Sequence, residues 1–275
     1  MFYVLGILFF LTYSFNSFAP GPNDTIHNNL NEIPPVPERH LKELEKKQKD
    51  VWKDFSNDRG FDRLETPKKS DWLYHVMEDG QTVDEYKAKL KELEQQRDDA
   101  IFPYSGYEED LFEKIELIHS PGQNKDSDYR LQKIIKSIRE YIEIYFGIET
   151  TIFRRKIPRE FFPKIGFNEK GLYDTGTLLD FLYTARFNSN YPLSIVHMVL
   201  MTDLNLYSSR GRIYCSGSAG TFGSQGIGVS SLNYALDRSY NIQGALDESL
   251  LIIAHEIGHA LGMNHCIYYK CLMNG

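Results

Sequence analysis

Between about residues 114 and 260 the chain switches repeatedly between a two-residue and a 3.6-residue hydrophobic period, the pattern of strands alternating with helices. Lys114–His119 alternates polar and apolar as a first strand, and Ser120-Pro121-Gly122 ends it. Ser127 or Asp128 is then placed to cap a helix whose apolar positions Leu131, Ile134, Ile135, Ile138, Tyr141, Ile142 and Tyr145 follow the helical period, with Gly147 as its stop. Ile148–Phe153 is β-branched and reads as a second strand. Thr177–Phe187 reads as a shorter helix turning Leu178, Leu179, Phe181 and Leu182 inward.

Ile195–Met201 is almost continuously apolar, as expected of a central strand covered on both faces. His197 interrupts it and is expected to be a core histidine with a hydrogen-bond partner. Gly211–Ser216 and Gly226–Leu232 are two more strand-like pieces, separated by the Gly/Ser-rich stretch Gly217–Gly223. Leu250–Ala254 leads into a last helix, with Asp247 and Glu248 in its first turn where acids suit the positive end of the dipole.

The first hundred residues are patterned differently. Residues 1–19 carry no charged side chain, and Ser17 and Ala19 fit a signal-peptidase site. The dense apolar part, Val4 to Leu11, is shorter than the ~20 residues of a membrane span, so no stable span is expected beyond this leader. Pro34, Pro35 and Pro37 mark a linker. His40–Asp58 and Thr82–Ala100 place sparse apolar residues (Leu41, Leu44, Val51, Trp52, Phe55; Tyr86, Leu90, Leu93) among many charges, and read as exposed helices with solvated faces. The expected division is a leader over 1–19, a linker and charged helical extension over 20–66, and a folded domain over 67–275.

The 275 residues, 41% hydrophobic and 25% charged, are enough for a full core. A formal net charge of −7 argues against nucleic acid as the main partner, since phosphate binding needs a basic face. Three cysteines, Cys215, Cys266 and Cys271, leave one over however they pair.

The chemistry concentrates in His255-Glu256-Ile257-Gly258-His259-Ala260-Leu261-Gly262-Met263-Asn264-His265. Two histidines four residues apart on a helix leave the same face one turn from each other, so both imidazoles can reach one Zn²⁺. Glu256 stands beside them as a general base for a water molecule. Gly262 ends the helix, because glycine accepts the left-handed turn, and lets the chain swing His265 back as a third nitrogen ligand. Three protein ligands with one open position is the catalytic, as opposed to the structural, zinc arrangement. Met273, eight positions past His265, suits a tight turn beneath the metal, its flexible thioether filling an apolar floor.

This string resembles the metzincin zinc peptidases. The cysteine pair after the third histidine, Cys266 and Cys271, resembles the archaemetzincin family in particular. Val199–Leu204 with Tyr207, and Gly226–Leu232, resemble that family's core strands in order and spacing. The resemblance implies a metzincin-like α/β domain: a mixed, mostly parallel sheet over an active-site helix, preceded here by the charged helical extension. It implies zinc-dependent peptide-bond hydrolysis on a peptide or protein substrate, with Met273 structural. It also implies a substrate-rim strand, assigned to Arg212, Ile213, Tyr214 and Cys215, that pairs main chain to main chain with an extended peptide.

Members of that family carry a Cys-x-x-Cys pair beyond the methionine that completes a second zinc site. No such pair follows Met273, so one catalytic zinc is expected. For Cys266 and Cys271 three outcomes stay open: a second zinc completed by chain beyond Gly275, a disulfide, or free thiols. The leader implies secretion and the resemblance a soluble intracellular enzyme. Competing readings are a reprolysin-like secreted peptidase and a zinc-bound protein that binds without hydrolysing.

Overall fold

The computed structural model describes residues 35–54, 62–65, 67–68, 73, 79–101, 114–120, 125–154, 172–187, 196–208, 213–222, 225–239 and 241–274. The leader, the Pro-rich linker up to residue 34 and Arg212 lie outside the described residues. Two compact units are present: Tyr86–Gly262, and Met1–Glu85 together with Met263–Gly275. Among the described residues no helix is long and apolar enough to cross a membrane.

Tyr86–Gly262 is built on a five-stranded mixed sheet. Its strands are β1 (Lys114–Ser120), β2 (Glu149–Arg154), β4 (Val196–Thr202), β7 (Gly217–Phe222) and β8 (Gln225–Ser231), in the order β2-β1-β4-β8-β7. The first four run parallel and β7 pairs antiparallel with β8. The fold class is therefore α/β with a mixed, mostly parallel sheet. Three short strands, β3 (Tyr173–Asp174), β5 (Leu206–Ser208) and β6 (Ile213–Cys215), form a second sheet in the order β3-β5-β6.

The helices explain why β4 is apolar along most of its length. On one face of the sheet Met198 and Leu200 of β4 and Ile227 and Val229 of β8 pack with Leu178, Leu179 and Leu182 of α4 (Thr175–Phe187) and with Leu206. Val199, on the opposite face by the strand period, lies near Glu256 of α6 (Ile242–Ala260), the helix that packs on β4, β7 and β8. α3 (Lys125–Phe146) packs on α6 and β2, with Ile134, Ile138 and Ile142 buried. Each fully buried Leu or Ile contributes about 1.5–3 kcal/mol, so these two layers are the main stabilising element of the unit.

His197 is 5% exposed and its Nδ1 accepts from the Gly226 N–H at 3.0 Å, the satisfied core histidine expected. Gly147, at φ +66°, ends α3, its N–H bonding to the Glu143 carbonyl at 3.0 Å.

Several expectations are corrected. Ser127 and Asp128 do not cap α3, which already begins at Lys125. α4 starts two residues early because the Asp174 carboxylate accepts from the Thr177 N–H and hydroxyl at 3.0 and 2.8 Å. α6 starts at Ile242, where Asn241 Oδ1 accepts from the Gly244 N–H at 2.8 Å. Asp247 and Glu248 are therefore past the first turn, bonded to Gln243 Nε2 (2.8 Å) and the Ser239 hydroxyl (3.4 Å). The Gly/Ser-rich separator is not a loop: Gly217–Phe222 is strand β7. Leu232 opens α5 (Leu232–Arg238), with Ser231 Oγ accepting from the Tyr234 N–H at 3.1 Å.

In the other unit α1 (Glu38–Asp54) has the expected solvated charged face but buries one stripe. Leu44 is buried with Leu73, Ile267 and Tyr268, and Gln48 is only 1% exposed. Leu64 donates to the Tyr268 carbonyl at 3.1 Å and Lys270 to the Asp62 carbonyl at 2.8 Å, so residues 62–64 run antiparallel to 268–270. α2 (Val83–Ile101), which lies in Tyr86–Gly262 from its fourth residue on, is entered through Thr82, whose hydroxyl and backbone exchange hydrogen bonds with Glu85. Its described side chains are mostly solvent-exposed or half-buried, as its charge pattern predicts.

Candidate metal centre

α6 brings the first two candidate ligands together by its period alone. His255 and His259 are half-buried, their rings are perpendicular with centroids 4.6 Å apart, and their Nε2 atoms are 3.0 Å apart. Gly262 follows at φ +94°, its N–H bonded to the His259 carbonyl at 2.9 Å, so the helix ends where the sequence predicts. His265 comes three residues later. One ring nitrogen from each of His255, His259 and His265 lies within 4.8 Å of the other two, a set that can hold a metal ion. Ligands about 2.0–2.1 Å from a tetrahedral ion stand about 3.3–3.4 Å from one another, so the His255–His259 pair at 3.0 Å fits to a few tenths of an ångström. Neutral imidazole nitrogens in this number suit zinc.

Glu256 is 3% exposed, turned toward β7 and β8. Three glycines make room for this close approach. A Cβ at Gly217 would lie 2.5 Å from Glu256 Oε1, and one at Gly226 would collide with the Ala260 carbonyl. One at Gly228 would sit 3.7 Å from Glu256 Cβ and 3.0 Å from Ala219 Cβ. Burial pushes the Glu256 carboxyl up to about 8, and its Oε2 is buried without a hydrogen-bond partner. Cys215 is held as a thiol. Burial, then the nearby Glu256 and Asp174 carboxylates, push it up to about 12 against an opposing N–H from Gly217.

Of the residues assigned to the rim strand, Ile213, Tyr214 and Cys215 fall on one strand. Ile213–Cys215 is β6, paired with β5 through Leu206↔Cys215 and terminal in its sheet. β7 follows after Ser216 and is terminal in the main sheet, a second edge that composition concealed.

Residues 263–274 carry the remaining candidates. Cys266 and Cys271 are free thiols whose sulfurs share a hydrogen bond. That bond, helped by N–H groups of Tyr268 and Tyr269, draws Cys266 below the usual thiol range, while Cys271 is driven up. Met273 is 7% exposed, and its carbonyl accepts from the Cys266 N–H at 2.7 Å. Asn274 braces the turn. Its Nδ2 donates to the carbonyls of Cys266 (2.7 Å) and Tyr269 (2.9 Å), and its Oδ1 accepts from the Cys271 N–H at 2.8 Å. Asn274, Gln48 and the three strand glycines escaped the sequence reading; only the Gly-x-Gly spacing at 226 and 228 is a local signal.

No family model matches the chain, and no curated protein matches it. Among solved structures, the crystal structure of archaemetzincin (amzA) from Methanopyrus kandleri matches at 22% identity, covering 60% of this chain and 82% of that one, with a TM-score of 0.45. The crystal structure of metalloproteinase-II from Bacteroides fragilis matches at 16% identity, covering 60% of this chain and 46% of that one, with a TM-score of 0.30. The chain is thus similar to an archaemetzincin over 60% of its length.

Proposed function

We propose that this chain is a zinc-dependent peptidase in which His255, His259 and His265 hold one zinc ion and Glu256 is the general base. The observation that carries the reading is the convergence of three ring nitrogens within 4.8 Å, next in sequence to a buried carboxyl group. When bound, zinc supplies Lewis acidity, drawing the pKa of water toward about 7 and polarising a carbonyl. Glu256 takes a proton from the attacking water and returns it to the amine nitrogen that leaves when the peptide C–N bond breaks. Burial keeps that carboxyl away from bulk solvent. A cation nearby would lower its pKa from about 8 toward the operating range of a base. β6 and β7, each terminal in its sheet, supply main-chain edges for an extended peptide or protein segment. Met273 and Gly262 are structural in this scheme.

The test is Glu256→Ala, with zinc content and hydrolysis of a quenched-peptide panel measured on the same preparation. The variant keeps zinc and loses turnover; a variant that still cleaves removes Glu256 from the role.

One observation favours a second reading, a zinc-bound protein that captures peptides without cutting them. Glu256 is 3% exposed and favours its neutral form, which cannot accept a proton. Wild-type protein loaded with zinc that binds peptides yet hydrolyses none of the panel would select this reading.

A further inference from the structure

We infer that α1 positions the third zinc ligand: Gln48 and Trp52 hold the backbone of the segment that carries His265. The inference rests on the zinc reading above.

His265 lies beyond the end of α6, in residues 263–266 that form neither helix nor strand, so its place depends on bonds made by the segment around it. A ligand on such a segment stays in register only if neighbouring groups hold it. Gln81 Oε1 accepts from the Asn264 N–H at 3.0 Å, and Met273 and Asn274 hold Cys266; past Cys266 the directed groups come from a helix more than 200 residues earlier. Gln48 Nε2 donates to the Ile267 carbonyl at 2.6 Å, and Trp52 Nε1 to the Tyr268 carbonyl at 3.0 Å. The two carbonyls stand two and three residues past His265.

Leu44, Gln48 and Trp52 are spaced four apart, so they form one stripe on α1. Leu44 supplies apolar packing against Ile267 and Tyr268. Gln48 supplies direction: a buried amide costs stability unless paired, and its donor is aimed at one carbonyl. Packing alone would tolerate sliding of the segment along the helix; two directed hydrogen bonds to successive carbonyls do not. Gln48 and Trp52 are positioning residues, acting on the metal through the His265 backbone.

The experiment uses the full chain and Gln48→Met, which keeps the length and apolar volume but loses the donor. Zinc affinity is measured by competition with a chromophoric chelator. The visible absorption of the Co²⁺-substituted protein is recorded alongside, with His265→Ala as benchmark and thermal unfolding as control. Gln48→Met should bind zinc about 10–100-fold more weakly than wild type and shift its Co²⁺ bands toward those of His265→Ala. Leu44→Val, which loosens the same packing without touching a donor, should lower the unfolding temperature yet leave affinity and bands near wild type. If Gln48→Met does not fold, Trp52→Phe is scored by the same two readouts, with a smaller shift in the same direction. Wild-type zinc affinity and Co²⁺ spectrum in the donor-deleted variant would overturn the inference. So would an equal loss in Leu44→Val, which would reduce α1 to general support. If wild-type protein binds no zinc, it is the zinc reading that fails.

Discussion

Gly217 on β7 lies directly against the Glu256 carboxylate: a methyl group there would stand 2.5 Å from Oε1 and 2.7 Å from the Val229 carbonyl. Neither the backbone of β8 nor the buried acid can yield without moving, so the strand residue sets where the carboxyl group sits. Gly217→Ala should therefore retain zinc and lose about 10-fold or more in turnover, the scale of loss expected from displacing a reacting group by about 1 Å. Metal content and peptide hydrolysis measured together check this. Unchanged turnover would mean the carboxylate does not act from this position.

The buried acid also makes a prediction about pH. Glu256 favours its proton up to about 8 when folded, against an ordinary value of 4.5 when unfolded. Between those values the native state holds a proton that the unfolded chain has released. Its contribution is thus fully present below about pH 4.5 and is lost as pH rises toward 8. In metal-free protein, stability should fall across this window by more in wild type than in Glu256→Gln, the difference being on the order of a few kcal/mol. Thermal unfolding of both proteins at a series of pH values reads it directly; parallel profiles would contradict it.

Thiol chemistry should separate the cysteines. Cys215, held protonated to about 12 by burial and two carboxylates, has almost no thiolate near neutral pH. Brief alkylation of folded protein followed by peptide mapping should leave Cys215 unmodified and label it only after denaturation. Rapid labelling of Cys215 in the folded state would contradict its placement beside Glu256.

Asn274 uses both ends of its amide to tie Cys266, Tyr269 and Cys271 into one turn. Asn274→Ala strands two carbonyls and an N–H in a half-buried place, a loss of about 1–3 kcal/mol. Denaturant unfolding should show it as a lower midpoint. Asn274→Asp, which keeps the acceptor but loses the donors, should fall between the two.

How far the sequence could be read depended on whether the cause of each element is local. β1, β4 and the stops at Gly147 and Gly262 were legible because alternation, continuous apolarity and a left-handed glycine are properties of a few adjacent residues. So was the spacing of His255, His259 and His265, since helical period and a terminating glycine suffice to bring them together. β7 was not legible. Its Gly-Ser-Ala-Gly-Thr-Phe run holds a single β-branched residue, Thr221, and opens on Gly217 because Glu256 of α6 comes close there. The start of α6 was misplaced because Asp247 and Glu248 suit a first turn, while the cap is Asn241 and the first turn tolerates Gly244. Gln48 looked like any polar residue on a charged helix, and nothing near it in sequence reveals a partner 219 residues away.

That separation has a consequence for biosynthesis. At about 5–20 residues per second, the Ile267 carbonyl is made roughly 10–45 s after the amide it receives. Throughout that interval Leu44 has Leu73 of its cluster but not Ile267 or Tyr268, and Gln48 lacks its acceptor, although Tyr86–Gly262 is being completed. The nascent protein therefore presents a sticky helix to chaperones until Ile267 and Tyr268 emerge, and any stall before Ile267 prolongs that exposure.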